Sequence, residues 1–353
     1  MRTDEAVSNI AMSIIVPCYK VEKYLPACLN SLMAQTLENI EVICINDGSP
    51  DSCIDILHKY ERQYSGKISI IDKDNEGVWR GRFDGIRIAR GEYIGFVDSD
   101  DTVAPEFAET LYRTAKDNNA DISVCGFHRV DLKTGKVLTR EMCAIRSNFN
   151  VAEEPGRLIE LNGAPWNKAF RASLLKNIRN LDEPPSVLDD LVFHLLAYLN
   201  CKGTVAFSPK PLINYMVRED SIINTVKSEQ VDSVIRAFST VASYYDEANV
   251  SQKMEEALSS IAFLHLGVSL LFRLSYDPSA DLGAYITRCT TLLNQTFPTW
   301  KHSSYTGLRY ALQEKGAFLK LWIVRLFYKA HLMRPFLAVY RFVIDKLHID
   351  IKW

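Results

Sequence analysis

The feature that most constrains the fold of this chain is a regular alternation of two patterns between Met12 and Gly126. Short runs rich in β-branched residues, apolar enough for burial on both faces, alternate with stretches that carry apolar residues at helical spacing. Such alternation is typical of a parallel sheet covered by helices, so the sequence predicts an α/β fold. The predicted strands are Met12–Val16, Glu41–Ile45, Ile68–Ile71, Glu92–Val97 and Asp121–Cys125, with helices near Val21–Ala34 and Pro105–Lys116.

Two further regions follow the alternating one. Turn residues accumulate from about 133 to 165, which predicts an irregular segment or lid. After Glu219 the apolar residues return to helical spacing and keep it to the C-terminus. We therefore expect an α/β domain over residues 1–222 and a helical region over residues 223–353.

Charge and cysteine usage exclude several classes of protein. The 41 Lys and Arg residues are balanced by 43 Asp and Glu residues, so no basic excess indicates nucleic acid as a partner. The eight cysteines have neither zinc-site nor disulfide-scaffold spacing, and we expect reduced, mostly buried thiols. Residues 1–11 lack the apolar core of a signal peptide, and no uninterrupted apolar stretch reaches about 18 to 20 residues. A cytoplasmic protein is expected.

Polar motifs follow four of the predicted strands, at the point where each strand ends. In open α/β sheets, ligands bind beyond the carboxyl ends of the strands, so we expect these four loops to face a common cleft. The motifs are Pro17-Cys18-Tyr19-Lys20, Asn46-Asp47-Gly48-Ser49-Pro50-Asp51, Asp74-Asn75-Glu76-Gly77 and Asp98-Ser99-Asp100-Asp101.

The last of these motifs places three carboxylates within four positions, an arrangement that is costly unless a cation lies nearby. Mg²⁺ and Mn²⁺ bind through one or two carboxylates plus substrate phosphates, so Asp100 is a candidate metal ligand. Asp98 is a candidate for a metal or ribose contact, with Ser99 beside it, and Asp101 is the acid most easily explained by structure alone. The alternative is a helix N-cap ahead of the Pro105 helix.

Taken together, the segments Ser13–Leu25, Val42–Asp51 and Gly91–Asp101 resemble the successive motifs of glycosyltransferase family 2, over roughly residues 12 to 222. The resemblance implies a GT-A fold and an inverting, metal-dependent transfer from a nucleoside-diphosphate sugar, with UDP favoured by analogy. The metal would be Mn²⁺ or Mg²⁺. The implied acceptor is a hydroxyl of a glycan or lipid-linked molecule, in cell-surface polysaccharide biosynthesis.

The resemblance also implies roles for residues of the donor site. The nucleoside pocket would be lined by Pro17, Tyr19, Glu22 and Asp47, with the Asp47 carboxylate accepting a hydrogen bond from the base. Asn75 belongs to the same site, and Arg82 would stabilise the diphosphate. An alternative for Asp47-Gly48 is a tight turn.

Two departures from the family pattern are visible. Lys20 stands where Asn is common, and the stretch from Trp79 to Asp84 replaces one that is usually small and ends in Arg-Asn. Trp79 and Phe83 would either reshape the sugar pocket or pack in the core.

On the acceptor side, the resemblance points to an aromatic residue, an acidic pair and a cation. Trp166 would stack on a sugar, or else be a buried aromatic beside a helix start. Asp190, after Asp189 at the start of a helix, would be the general base, although two acids also suit a helix N-terminus by charge alone. His194 lies one turn later and either reaches the metal or acceptor, or is a core or surface residue. Arg218 would contact the donor phosphates.

The C-terminal segment 318–353 mixes aromatic and basic residues, with acids nearly absent before Asp345. This composition fits a helix that lies on an anionic membrane surface, with Pro335 dividing it in two. The alternative is an amphipathic pair that packs on the protein's own helical region or on a second subunit.

Two other functions compete with glycosyl transfer. A nucleotidyltransferase would be expected to carry a Gly-rich, basic phosphate loop after its first strand, and Val16–Lys20 lacks one. A catalytically silent module that binds a sugar nucleotide or an acceptor is the second alternative.

Overall fold

The computed structural model describes residues 10–217, 226–314 and 316–347. The chain forms two compact units. The first comprises residues 1–151, 164–180 and 200–220, and the second comprises residues 152–163, 181–199 and 221–353. Two segments from within residues 1–222 thus belong to the second unit, which makes Asp189 and Asp190 part of it.

The first unit is built on one mixed sheet, which has ten strands within the described residues. The strands are β1 Met12–Cys18, β2 Ile40–Asp47, β3 Ile68–Lys73, β4 Tyr93–Phe96, β5 Thr102–Val103, β6 Ala120–Asp131, β7 Val137–Glu141, β8 Phe149–Asn150, β9 Lys168–Arg171 and β10 Thr204–Val217. Their order in the sheet is β3-β2-β1-β4-β9-β6-β10-β5, with β7 paired to β6 and β8 to β10. The long ladders, β1 with β2, β2 with β3, and β6 with β10, are parallel, as is the pairing of β1 with β4.

Five helices of this unit connect the strands. They are α1 Leu25–Met33, α2 Cys53–Gln63, α3 Val78–Ile88, α4 Phe107–Asp117 and α5 Ala172–Lys176. The face of α1 that carries Leu25, Cys28, Leu29 and Leu32 is fully buried against the sheet. The predicted α/β fold and all five predicted strands are confirmed.

The prediction of an irregular segment over 133–165 is wrong in part, because it contains β7 and β8. The turn before β7 is closed by Asp131, whose Oδ1 accepts hydrogen bonds from the Thr134 backbone and hydroxyl, both at 2.8 Å. Val137 and Leu138 at the start of β7 are both exposed. Because these two adjacent apolar residues are both exposed, β7 lacks the alternation of buried and exposed residues that identifies a strand in a sequence. The strand is held in place by its hydrogen bonds to β6.

The second unit is mainly helical, as predicted for the region after Glu219. Its helices are α6 Asp189–Asn200, α7 Val231–Glu247, α8 Gln252–Leu264, α9 Leu270–Leu274, α10 Leu282–Thr296, α11 Leu308–Glu314, α12 Gly316–Lys329 and α13 Met333–Leu347. Stacked rings of Phe263 and Trp300, 4.7 Å apart, lie in its core. Within the described residues, one helical stretch, Gln252–Leu274, is long and apolar enough to cross a membrane, but 78% of its apolar window is buried in the protein.

The C-terminal helices α12 and α13 separate at His331, not at Pro335. His331 has a left-handed backbone (φ 58°), and the Leu332 N–H closes the end of α12 on the Phe327 carbonyl at 2.8 Å. Pro335 lies in the first turn of α13, where its missing N–H costs nothing. The expectation that Pro335 divides the segment is therefore wrong.

Each of these two helices has a packed face and an exposed face. The residues Phe318, Leu321, Val324, Tyr328, Met333, Leu337 and Tyr340 are buried. The residues Ile323, Leu326, Leu332, Val339 and Phe342 are exposed, up to 62% for Val339. The protein's own core thus covers one face and leaves an apolar outer face open.

Candidate active site

The loops that follow β1 and β2 are tied together by reciprocal hydrogen bonds. The Glu22 backbone N–H donates to Asp51 Oδ2 at 3.0 Å, and the Ser52 N–H donates to Glu22 Oε2 at 3.0 Å. The Lys20 N–H also donates to Ser49 Oγ at 2.8 Å. Glu22, predicted to line the nucleoside pocket, thus also fixes the spacing of the two loops.

Asp51 is the centre of this network. Burial alone would raise its pKa, but hydrogen bonds from Cys53, Ser49 and the Glu22 N–H outweigh that effect and lower the pKa to about 2. Its Oδ1 accepts from Ser49 Oγ at 2.6 Å and from the Cys53 N–H at 3.1 Å. The charged carboxylate therefore stabilises the loop after β2 and, through Glu22, the loop after β1.

Asp47 ties the loop after β2 to the loop after β3. Its carboxylate is only 3% exposed and accepts the backbone N–H groups of Glu76 and Gly77 at 2.9 and 2.8 Å. The Asn75 side chain donates to the Asp47 carbonyl at 2.9 Å. Since a carboxylate has about four acceptor positions, Asp47 keeps capacity for a further donor such as a base N–H.

Gly48 allows these two loops to approach each other. Its backbone is left-handed (φ +60°), and a Cβ at this position would lie 2.6 Å from the Asn75 backbone nitrogen. Both observations require glycine, so the tight-turn interpretation of Asp47-Gly48 describes the structure and is compatible with a role in binding.

The departure at Lys20 falls on a strained backbone position, which explains why Asn is common there but not why this chain has Lys. Lys20 has a left-handed conformation (φ 56°), which Asn tolerates better than other residues with a side chain. The Lys20 ammonium lies 5.0 Å from the centre of the Tyr19 ring. Tyr19 is 42% exposed and leaves a surface for a ligand. Pro17 is the second-last residue of β1 and pairs with Ile45 of β2.

In the acidic loop after β4, the three carboxylates differ in environment. Asp101 is 1% exposed, and its Oδ1 accepts the Met216 N–H at 2.8 Å, which ties the loop to β10. Asp98 and Asp100 are half-buried, next to the buried Ser99. The structural interpretation of Asp101 is confirmed. The N-cap alternative is wrong, because Glu106 precedes α4 and no side chain caps that helix.

The residues of this loop fit a hard divalent cation. Among the described residues, no group of three or more His, Cys, Asp or Glu side chains is placed to hold a metal ion. Two half-buried carboxylates suit a cation that takes its other ligands from substrate phosphates and water. The Cys28 thiol beneath the loop stays protonated, because burial and then Cys18 and the three carboxylates raise its pKa.

Helix α3 carries Arg82 and packs closely on the sheet. A Cβ on Gly85 would lie 2.7 Å from the Ile15 side chain, so glycine lets the helix reach β1. Arg82 is 4% exposed on this helix. Trp79 is 3% exposed, contacts the Phe83 ring at 5.4 Å and donates from Nε1 to Asn180 Oδ1 at 2.8 Å. The packing alternative thus describes Trp79.

Trp166 has its faces occupied by protein. The ring is 6% exposed, stacks on Tyr215 at 5.5 Å with an interplanar angle of 9°, and meets the Phe127 ring edge-on at 4.6 Å. The buried-aromatic alternative describes this residue, because a stacked, buried ring leaves little surface for a sugar.

In the second unit, Asp189 and Asp190 open α6 directly after a strained residue. Leu188 has a left-handed backbone (φ 60°), which is rare for a bulky apolar side chain. Backbone strain of this kind is concentrated at functional sites. His194 is fully buried, and its Nδ1 donates to the Asp190 carbonyl at 2.7 Å, which supports the core alternative for this residue.

Two further predictions concern Arg218 and the cysteines. Arg218 lies outside the described residues. All eight cysteines are free thiols and seven of them are buried, as predicted.

Comparison with known proteins identifies the family of this fold and site. Residues 13–179 match the family described as Glycosyl transferase family 2. Over 266 residues the chain is 30% identical to the "Putative glycosyltransferase EpsH" of Bacillus subtilis, covering 74% of this chain and 76% of that protein. The fold is similar to that of S. aureus TarS 1-349 in complex with UDP-GlcNAc, with a TM-score of 0.70 at 22% identity, covering 91% and 92% of the two chains.

A further relative is the "Poly(ribitol-phosphate) beta-glucosyltransferase" of Bacillus spizizenii, 34% identical over 214 residues. The alignment covers 59% of this chain and 32% of that larger protein. The protein described here belongs to glycosyltransferase family 2 and has a GT-A fold.

Proposed function

We propose that the protein is an inverting glycosyltransferase that moves a sugar from a nucleoside-diphosphate donor, UDP being favoured, to a hydroxyl of a glycan or lipid-linked acceptor. The observation that carries this proposal is the set of loops at the carboxyl ends of β1, β2, β3 and β4, three of them hydrogen-bonded to one another and the fourth carrying Asp98 and Asp100. The relative named as a poly(ribitol-phosphate) beta-glucosyltransferase supports a place in surface polysaccharide or teichoic-acid-type biosynthesis.

The donor site that we propose uses these loops for binding. Tyr19 would lie against the base, and Asp47 would accept the base N–H while it holds the 74–77 loop in place. Pro17, Glu22 and Asn75 would complete the nucleoside pocket. Ser99, Arg82 and Arg218 would contact the diphosphate and the groups next to it. Trp166 would support the site by packing rather than by stacking on the sugar.

Asp100, with Asp98, would hold a divalent cation, Mn²⁺ or Mg²⁺. When bound, that ion would neutralise charge on the diphosphate leaving group. The carboxylates contribute by fixing its position, and buried Arg82 would add a cationic donor without the cost of reorganising solvent. A neighbour of similar fold, the mannosyltransferase PcManGT, was solved with GDP-Man and Mn²⁺, at a TM-score of 0.51.

Asp190 would be the general base. It would take the proton from the acceptor hydroxyl as that oxygen attacks the anomeric carbon on the face opposite the diphosphate. The carboxylate sits in the first turn of α6, directly after the strained Leu188, and Asp189 would orient it.

Donor binding and transfer should separate in an Asp190→Asn variant. We expect this variant to bind the sugar nucleotide with unchanged affinity and to lose about 10²- to 10⁴-fold in transfer rate. Asp189→Asn is the matched comparison: it changes the neighbouring acid of the same helical turn, and because Asp189 is proposed only to orient Asp190, its loss of transfer rate should be clearly smaller. Full transfer by Asp190→Asn would remove Asp190 from the mechanism, and an absence of transfer with every donor tested would favour the silent binding module.

We also propose that the exposed outer face of α12 and α13 lies on the cytoplasmic surface of the membrane. Among the described residues, five apolar side chains of this segment are exposed, and the segment carries several cations and no acid between Glu314 and Asp345. The test is vesicle flotation of the full chain and of a Val339→Ser/Phe342→Ser variant. Loss of flotation in the variant is expected. A loss of self-association instead would make this face a subunit interface.

A further inference from the structure

A cavity of about 530 Å³ in the second unit is lined by an unusual number of cations. It lies among α11, α12 and the turn that precedes α11. Within the part of the chain that the structure describes, no acidic residue lines it and five basic residues do: Lys301, His302, Arg309, Arg325 and Lys329. Neither the glycosyltransferase motifs nor the proposed donor and acceptor residues include any of these five.

Arg325 is the centre of the cavity wall. Its side chain is nine-tenths buried, at 9% exposure, and burial lowers its pKa. Nη1 donates to Thr306 Oγ1 at 2.8 Å and more weakly to the carbonyls of Lys301 and Ser303 at 3.4 and 3.5 Å. The Nε atom is buried and has no hydrogen-bond partner among residues 10–217, 226–314 and 316–347. No carboxylate of those residues forms an ion pair with this guanidinium.

A buried charge is normally paired, because taking it out of water without a counterion costs several kcal/mol. The three other cations of the cavity, Lys301, Arg309 and Lys329, also have no carboxylate within the 4.0 Å ion-pair distance in the described part of the chain. The Lys301 ammonium lies 5.5 Å from the centre of the Trp300 ring. Glu256, which touches the lining, is engaged by the N–H and hydroxyl of Ser304 at 3.0 and 2.7 Å. The charge of the cavity is thus uncompensated.

We propose that this cavity binds the phosphate group of a ligand, with Arg325 as the central contact and Lys301, Arg309 and Lys329 around it. A guanidinium has five N–H donors in a planar fork that matches two oxygens of a phosphate. Of these donors, only those on Nη1 are engaged by the residues that the structure describes. Lysines add point charges to the same anion. The site is independent of the proposed donor site and would give the second unit a binding function of its own.

The phosphate could belong to a lipid headgroup or to a soluble ligand. Exposed apolar side chains beside the cavity are a feature that a lipid would use. Leu308 lines the cavity and is 44% exposed, and Leu312 and Leu326 of the adjoining helices are 59% and 42% exposed. These apolar side chains would accept the hydrocarbon part of a lipid whose phosphate enters the cavity.

The test uses the full chain and compares two double variants. Arg309→Gln/Lys329→Gln removes two exposed cations of the cavity. Lys59→Gln/Arg62→Gln removes two exposed cations from α2 of the first unit, outside both the cavity and the segment 318–353, and matches the change in charge. One arm measures the rise in melting temperature with inorganic phosphate, in the presence of saturating UDP to occupy the donor site. The other arm measures binding to vesicles of phosphatidylcholine with and without phosphatidylglycerol.

We expect the cavity variant to lose about tenfold or more in apparent affinity for at least one probe, and the control variant to change by about twofold or less. A loss with phosphatidylglycerol vesicles alone assigns the site to a lipid headgroup, and a loss with inorganic phosphate alone assigns it to a soluble phosphate ligand. Equal behaviour of the two variants with both probes would overturn the proposal. Arg325→Gln should abolish binding, and if it fails to fold, the double variants still decide.

Discussion

Replacement of Gly48 by alanine tests whether the contact between the loops after β2 and β3 shapes the nucleotide site. The residue is left-handed (φ +60°), which costs a residue with a Cβ about 1–2 kcal/mol. The new Cβ would also lie 2.6 Å from the backbone nitrogen of Asn75. A backbone atom cannot rotate away as the end of a side chain can, so the 74–77 loop must shift.

The strain from this close contact should add about 1–3 kcal/mol, the usual cost of overpacking. We therefore expect Gly48→Ala to lower the free energy of unfolding by about 2–5 kcal/mol. The shift should also weaken the hydrogen bonds that Glu76 and Gly77 donate to Asp47 at 2.9 and 2.8 Å. Affinity for UDP should fall with it, because the same carboxylate is proposed to contact the base.

Gly66→Ala is the matched control. Gly66 is left-handed as well (φ +84°), but a Cβ there meets nothing within 4 Å. Gly66→Ala should therefore lower the free energy of unfolding by only about 1–2 kcal/mol, the cost of the left-handed backbone, and should keep its affinity for UDP. Urea unfolding followed by circular dichroism gives the stability difference, and calorimetry gives the affinity. Equal losses of stability in the two variants, with UDP binding unchanged in both, would refute the reasoning.

Three further predictions concern packing and charge. Trp166→Ala should lower the free energy of unfolding by about 3–5 kcal/mol, whereas Trp166→Phe should fold and retain the kcat of the unaltered protein. A large loss of kcat in the folded Trp166→Phe variant would instead support a direct contact between Trp166 and the sugar. The pKa of Asp51 is about 2 in the folded protein against an ordinary 3.8, so its stabilisation is complete above about pH 4 and is lost as the pH falls toward 2. An Asp51→Asn variant should show a flatter dependence of unfolding free energy on pH in that window, and identical slopes would contradict this. Arg90→Met should lower the free energy of unfolding by about 1–3 kcal/mol, because Arg90 pairs with the buried carboxylate of Glu41 at 2.7 Å. Arg113→Met, which removes the more exposed pair with Glu109, should lower it by about 0–1 kcal/mol. Urea unfolding measures both differences.

Five of the ten described strands, β1 to β4 and β6, were predictable because most of them are buried on both faces. Runs such as Ser13–Val16 and Val42–Ile45 consist mostly of apolar residues, which predicts strands whose side chains are buried on both faces of the sheet. The polar motifs that follow mark where each strand ends. Predicted positions of the loops therefore followed from the strands. β7 was missed because Val137 and Leu138 are exposed and the strand depends on pairing with β6, a contact that no local pattern records.

The composition of the two units depends on long-range contacts. Residues 152–163 and 181–199 belong to the helical unit although most of the chain around them belongs to the sheet unit. In one such contact, a Cβ on Gly156 would lie 2.3 Å from the Tyr305 ring, about 150 positions along the chain. Neither spacing nor composition indicates which distant ring a glycine will meet.

The site residues differ in how far sequence patterns could assign them. The motifs indicated Asp47, Asp98 and Asp100 as a group, but not that Asp47 would be held by two backbone N–H groups. Trp166 shows the limit of residue type as evidence, because an aromatic ring in a family motif serves equally as a sugar platform or as core. The sequence does not group the cations of the Arg325 cavity, because Lys301 and Arg309 lie well before Arg325 along the chain and only the fold brings them together.

Metal-dependent binding of UDP tests the central claim most directly. Calorimetric titration of UDP into the protein with Mn²⁺ or Mg²⁺, and then with a chelator, should show binding that weakens at least about tenfold when the metal is removed. In Asp100→Asn the metal should no longer strengthen binding. In Asp101→Asn, where the carboxylate accepts the Met216 N–H, stability should fall and the metal dependence should persist. UDP binding that is equally tight with metal, with chelator and in Asp100→Asn would contradict the account.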